Sequence, residues 1–213
     1  LILGGFGAFG KIPALGDFIR FNAPPSFVGP WDIWMQGALA ASRTGLGDDW
    51  HGCYMSAPIW RFTLAAGVAG RDAALGVTMP SVDRVGRQFP LTLMTVTPAP
   101  PDLAERHFGA ETTFATLEDI ALAALEDEMT RDRLQALLAR VNFAPRAYTG
   151  RAPKSAAQQL HRLSRPTIWT AHTERGPCVM FSDGLPRAVQ MIRLFDPDPD
   201  ARTTDPKPPE NTP

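Results

Sequence analysis

Three apolar runs rich in β-forming residues follow one another closely: Ile59 to Leu64, Ala74 to Met79 and Leu91 to Thr97. Between them lie AAGVAGRD (Ala65 to Asp72) and PSVDRVGRQFP (Pro80 to Pro90), segments dense in glycine, proline and charge. Such segments are turn material. A parallel crossover needs a dozen or more residues, usually a helix. Hairpin-length connections therefore exclude a purely parallel, doubly wound sheet. Alternation along the first run puts Trp60 and Phe62 on one face, facing a core, with Arg61 on the other.

The flanking sequence supplies covering helices. Trp31, Trp34, Met35, Ala38 and Leu39 recur at helical spacing to about Gly45, with Pro30 suited to the first turn. Asp48 and Asp49 can begin a short helix reaching Met55. Leu117, Ile120, Ala121, Ala124 and Leu125, then Leu134, Leu137, Leu138 and Val141, predict two helices between Thr116 and Val141. A short helix over Ala156 to Leu163 precedes strands at Thr167 to Ala171 and Pro177 to Phe181, and a last helix runs from Pro186 to Phe195. A first strand occupies Leu1 to Ile12. The expected class is α/β, a mixed and partly antiparallel sheet flanked by helices. Residues 1–195 form one domain in this reading. From Asp196 to Pro213, six prolines and five acids stand against one Arg and one Lys, which predicts a disordered acidic tail.

Formal net charge is −1, so nothing argues for nucleic acid. No apolar run approaches the roughly 20 residues of a spanning helix, which argues against membrane insertion. Two cysteines fit neither a disulfide scaffold nor paired zinc ligands, and a reducing compartment is the default. No motif addresses the oligomeric state.

The N-terminal LILGGFGAFGKIP contains two overlapping nucleotide motifs. Gly5, Gly7 and Gly10 fit G-x-G-x-x-G, while Gly5, Gly10 and Lys11 fit most of a P-loop. The first motif needs its last glycine to open a helix, yet Pro13, Gly16 and Asp17 follow at once. The second needs a hydroxyl after the lysine to hold magnesium, and Ile12 stands there. A strand whose glycines admit a neighbouring backbone is the plainer reading. A small-ligand or nucleotide-binding enzyme remains the rival.

Other chemistry is sparse. His51, His107, His161 and His172 form no H-x-x-x-H or H-E-x-x-H pattern, so no metal is expected. His51 and Cys53 fall on different helix faces, which favours a buried structural cysteine over a nucleophilic pair. No G-x-S-x-G elbow occurs, and FSDGLP reads as a turn. Neither a catalytic set nor a cofactor is expected. The unusual polar stretch is MPSVDRVGRQFPL, Met79 to Leu91. Asp83 and an arginine there can form a charge-assisted pair that locks the connection, with Gly86 in a turn conformation. Alternatively, Arg84 and Arg87 project as a fork toward a partner's carboxylate or phosphate. Lys11, Asp17 and Arg61 complete the candidate partner-binding residues.

FGKIPALGDF (Phe9 to Phe18), FVGPWDIWMQ (Phe27 to Gln36), APIWRF (Ala57 to Phe62) and MPSVDRVGRQFPLTL (Met79 to Leu93) occur in that order. Together they resemble the TagF (ImpM) family associated with type VI secretion. Similarity is clear from Phe6 to Thr97 and weaker to Phe195, where only the strand pair and the Gly184 to Pro186 turn match. The resemblance implies a three-layer α/β/α sandwich. It also implies a cytoplasmic bacterial regulator that represses the secretion apparatus after translation by binding a forkhead-associated scaffold protein. Some relatives carry a fused Ser/Thr phosphatase domain; this sequence shows none of that domain's aspartate motifs and is expected to be the stand-alone form. A structural component of the apparatus is a further alternative, and the family offers no catalytic residues to carry over.

Overall fold

The computed structural model describes residues 5–100, 102–143 and 154–197. Of the predicted tail, Asp196 to Pro213, residues 198–213 lie outside them, whereas Asp196 is buried and its amide donates to the Ile192 carbonyl at 2.9 Å, so the folded part extends past Phe195.

The described strands form one seven-stranded sheet. They are β1 (Gly7–Gly10), β2 (Ile19–Phe21), β3 (Trp60–Leu64), β4 (Ala73–Met79), β5 (Leu91–Thr97), β6 (Pro166–Thr173) and β7 (Gly176–Asp183). Their order across the sheet is β2-β1-β5-β4-β3-β6-β7, and every neighbouring pair is antiparallel. The α/β class therefore holds, with antiparallel pairing extending to all seven strands. Register is pinned at the centre, where Phe62 faces Gly76 and Gly76 faces Met94. A Cβ on Gly76 would meet the Leu93 carbonyl and come within 2.9 Å of Met94 Cβ. Glycine is what lets the central strands close up around two bulky neighbours.

Helices cover both faces. On one side lie α1 (Pro25–Leu46), α2 (Trp50–Ser56) and α7 (Val189–Arg193); on the other lie α3 (Leu103–Phe108), α4 (Glu111–Ala123) and α5 (Arg131–Leu138). A further helix, α6, spans Lys154–Leu160. Alternation fills both interfaces. Trp60, Phe62 and Leu64 face α1, while Leu75, Val77, Leu91 and Leu93 face α4 and α5. The α1 side is aromatic. Trp31 stacks on Phe27 and Trp169 and lies within 4.8 Å of both Trp34 and Phe62. Its indole N–H donates to Thr92 Oγ1 at 3.0 Å, so its one polar atom is satisfied.

Several boundaries differ from expectation. Helix α1 starts at Pro25, not near Pro30, because Pro25 occupies the first turn, where a missing N–H is harmless. Pro30 thus sits inside the helix and cannot donate to the Ser26 carbonyl. Gly70 packs against that carbonyl: a Cβ there would stand 2.8 Å from Ser26 O. β2 was not anticipated, since three residues between Asp17 and Pro24 give alternation too little length to register. α3 was also missed; Asp102 caps it, accepting from the Glu105 amide at 2.9 Å.

Candidate functional site

The predicted polar residues separate into two clusters. Lys11, Asp17, Asp83, Arg84 and Arg87 meet where the β1–β2 turn and the β4–β5 connection touch. Arg61 is elsewhere, beneath α4.

Asp83 organises the first cluster. It is 1 % exposed, and its carboxylate collects four hydrogen bonds. Lys11 Nζ donates to Oδ2 at 2.9 Å, and Arg87 Nε donates to the same oxygen at 2.7 Å. The amides of Val85 and Arg87 donate to Oδ1 at 3.1 and 2.9 Å. Burial alone would raise this carboxyl's pKa. The bonds from Lys11, the Arg87 amide and side chain, and the Val85 amide outweigh it and hold the pKa well below the usual range. The connection closes on itself as well. The Asp83 amide donates to the Arg87 carbonyl, Gly86 returns to the Asp83 carbonyl at 2.8 Å, and Gly86 takes φ +81°. The locked connection anticipated for Asp83 is thus the one built, with Lys11 as a second cation.

Two further bonds fasten this turn to the β1–β2 turn. The Arg84 amide donates to the Leu15 carbonyl at 2.9 Å, and Arg87 Nη2 donates to the Gly16 carbonyl at 2.7 Å. Trp50 Nε1 and Arg43 Nη2 both donate to Gln88 Oε1, tying α1 and α2 to the same connection. Tyr54 closes the base, donating from its hydroxyl to the Ser81 carbonyl at 2.6 Å. Tyr54 and Gln88 carry no motif, so sequence reading passed over both.

What this frame presents outward is specific. Arg84, Val85, Gly86 and Arg87 are all exposed, Val85 by 70 %. Phe18, 44 % exposed, stacks on Phe9 and packs its edge on Phe89 beside them. Asp17 is exposed, and its Oδ1 accepts from the Phe18 amide at 2.7 Å. The Arg84 side chain lies against Gly16 and makes no hydrogen bond or ion pair among the described residues. Two cations and one apolar side chain therefore stand on a turn held by a buried carboxylate, with Phe18 of the neighbouring β1–β2 turn beside them.

β1 is followed by a turn and β2, so Gly10 does not open a helix. Lys11 is buried in its pair with Asp83, not turned toward an open phosphate cradle. The glycines serve packing instead. Gly10 takes φ +136°, with Pro90 O where a Cβ would stand, and a Cβ on Gly7 would come within 2.5 Å of the Asn22 backbone.

The second cluster is structural. Arg61 Nε and Nη2 donate to the two carboxylate oxygens of Glu118 at 2.6 and 2.8 Å, a bidentate pair, and Nη1 reaches Glu111 at 2.7 Å. The Glu118 bonds raise the guanidinium pKa further; burial opposes them, and Glu111 adds to them. Arg61 thus faces the α4 layer with its charge spent. Next to it, His107 is held between Thr63 Oγ1 at 2.8 Å and Thr170 Oγ1 at 2.9 Å. Burial, aided by Arg61, pushes its pKa down to about 3. Tyr54 is shifted the other way, its hydroxyl pushed up chiefly by burial. Tyr54, Asp83, Arg61 and His107 are thus all held away from neutrality, where a general acid or base works best. Cys53 is buried, while His51 is exposed, as their spacing implied. Among the described residues no group of three His, Cys, Asp or Glu is placed to hold a metal, and no helix is long and apolar enough to cross a membrane.

The solved structure of PA0076 from Pseudomonas aeruginosa PAO1, a crystal structure at 2.05 Å, is 32 % identical. The match covers 89 % of this chain and 93 % of that one, with a TM-score of 0.78. No curated protein matches. The model of the TagF N-terminal domain, described as type VI secretion system-associated, matches residues 7–141, which include α1, β1 to β5 and the whole Asp83 cluster. By that match the chain belongs to the TagF N-terminal domain family of type VI secretion-associated proteins.

Proposed function

We propose that this chain is a non-enzymatic, cytoplasmic regulator of the type VI secretion system. It represses the apparatus after translation by binding the forkhead-associated scaffold protein of that system. The observation that carries the reading is the Asp83 frame. A buried carboxylate spends its bonding on a turn whose outward side chains, Arg84 and Val85, are left exposed. Preorganisation of that kind reduces the ordering cost of binding. Arginine with an adjacent aromatic is also the composition of interface hot spots. In this reading Arg84, Arg87, Val85, Phe18 and Asp17 meet the partner, while Lys11 and Asp83 hold the turn. Arg61 supports the sheet from the opposite layer.

Co-purification tests it. Wild-type chain should retain the forkhead-associated protein, and the Arg84→Ala/Arg87→Ala variant should lose it. Overexpression should lower secretion of the tube protein and deletion should raise it. Unchanged secretion in both strains would overturn the repressor reading.

A further inference from the structure

The two edges of the sheet are built differently. β2, at one edge, has three residues, whereas β7, at the other, has eight. An edge strand offers a row of unpaired N–H and C=O groups, which proteins blunt by shortness or by charge. The middle of β7 has neither defence. Just beyond it the Gly184 amide donates to the Arg165 carbonyl at 2.7 Å, so the even-numbered residues bond β6. Pro177, Val179 and Phe181 therefore turn their backbone groups away from the sheet. Pro177 and Val179 are exposed, Val179 by 45 %, and Phe181 is half-buried. None of the three is charged. We propose that β7 pairs antiparallel with β7 of a second copy about a two-fold axis, with Val179 opposite Val179.

The donors and acceptors along this edge select both the occupant and the register. Val179 offers an N–H and a C=O, neither of them bonded among the described residues. Pro177 offers only a C=O, having no N–H. Phe181 offers only an N–H, because its carbonyl already accepts from Gln190 Nε2 at 3.0 Å. With Val179 facing its own copy, Pro177 faces Phe181. The two Val179 residues then exchange a pair of bonds, and each Phe181 amide reaches a Pro177 carbonyl. The donor that Pro177 lacks falls opposite the acceptor that Gln190 has filled. Sliding one copy by two residues breaks the match. One direction sets a Val179 carbonyl against the proline, and the other aims the Val179 amide at the filled carbonyl. The side chains fit the same register. Pro177, Val179 and Phe181 share one face of the sheet, so apolar residues meet across the pair. At the ends, Arg175 of one copy comes opposite Asp183 of the other, both exposed. The inference goes beyond the partner-binding reading. The arginine turn adjoins β1 and β2, at the far side of the sheet, and this pairing leaves it uncovered.

A pair of eight-residue strands is a small interface, so association should be reversible. Sedimentation equilibrium of the full chain, from about 0.01 to about 1 mM, should show monomer passing into dimer and no larger species. Val179→Lys sets like charges face to face, and should weaken dimerisation by about tenfold or more while melting as wild type does. Cross-linking reads the register. In a Cys178→Ser background, Val179→Cys should form a disulfide-linked dimer on oxidation, since directly opposite Cα atoms stand about 5.5 Å apart. Phe181→Cys should not, because the same residue of the second copy lies about 13 Å further along the strand. A wild-type chain that stays monomeric at the highest concentration would overturn the proposal. A dimer as strong in Val179→Lys as in wild type does so too, as does equal cross-linking by Phe181→Cys. A monomeric wild type whose Val179→Lys variant loses the forkhead-associated protein would give the edge to that partner instead. Co-purification of Arg84→Ala/Arg87→Ala decides the docking turn separately.

Discussion

Lys11 and Asp83 stand 72 positions apart and meet as a buried ion pair, Nζ to Oδ2 at 2.9 Å, with side chains 8 % and 0 % exposed. The pair joins the end of β1 to the β4–β5 connection. An isolated buried charge is prohibitively costly, so each residue depends on the other's presence. Asp83→Ala should lower the melting temperature clearly, because it strands Lys11 and frees the Val85 and Arg87 amides. Asp83→Asn should cost less, since its carbonyl oxygen still accepts from those amides. Stability contributed by this carboxylate is present above its unfolded pKa, near 3.9, and lost as pH falls toward the lower folded value. Acid titrations of wild type and Asp83→Asn should therefore diverge above about pH 4 and converge below it. Equal melting temperatures for wild type and Asp83→Ala at pH 7 would refute the frame.

The arginine under α4 predicts an asymmetry between two glutamates. Glu118 is mostly shielded and holds Arg61 with two bonds, whereas the Glu111 side chain is 69 % exposed. Glu118→Ala should cost about 3 kcal/mol, the lower end for breaking a buried pair. Glu111→Ala should cost under about 1 kcal/mol, as exposed pairs do. Urea denaturation of both variants measures the difference directly.

His107 makes stability depend on pH in a separate window. Its folded pKa, about 3, lies below the ordinary value of 6.5, so the unfolded state binds a proton that the folded state refuses. This penalty is absent above pH 6.5 and grows as pH falls toward 3, reaching about 2 kcal/mol at pH 5. His107→Gln can still bond Thr63 or Thr170 but cannot titrate. Its stability should be flat between pH 6.5 and 5 where wild type declines. Parallel slopes would place the effect elsewhere.

Gly5 and Gly10 belong to the same sequence motif and should behave oppositely. Gly10 has φ +136° and the Pro90 carbonyl in its Cβ position, so Gly10→Ala should cost more than about 3 kcal/mol through strain and overpacking. Gly5 has open space around it, and Gly5→Ala should lie within about 0.5 kcal/mol of wild type. A nucleotide loop would instead lose ligand binding with both. Thermal melts with and without nucleotide and magnesium separate the two cases.

These contrasts mark what sequence can and cannot carry. β3, β4 and β5 were legible because their alternation and turn chemistry are local, and the antiparallel sheet follows from their short connections. The Asp83 frame was half legible. Asp83 and Arg87 lie four residues apart around Gly86, whereas Lys11 arrives from another strand. Glu118 and His107 were not legible as partners of β3, since each pairing spans more than 40 residues and neither carries a motif. Arg61 alone in an apolar strand was a hint that some acid on a covering helix must answer it. The exposed surface around Phe18 depends on how two turns meet, which no single stretch encodes.

Arg84 separates docking from scaffolding most cleanly. Its backbone amide bonds to Leu15, but its guanidinium has no partner among the described residues. Arg84→Ala should therefore leave stability within about 0.5 kcal/mol of wild type, as substitutions away from buried contacts do. Arg87 differs, because its Nε completes the Asp83 set and its Nη2 holds Gly16. Arg87→Ala should lower the melting temperature. If the turn is a binding hot spot, Arg84→Ala should weaken the forkhead-associated partner by at least tenfold, about 1.4 kcal/mol, while melting like wild type. Arg87→Lys should recover stability in part, since a point charge can still answer Asp83 but cannot reach Gly16 as a planar fork does. Calorimetric melts and equilibrium binding on these three variants decide the matter. An Arg84→Ala protein that binds its partner as wild type does would move the docking surface away from this turn.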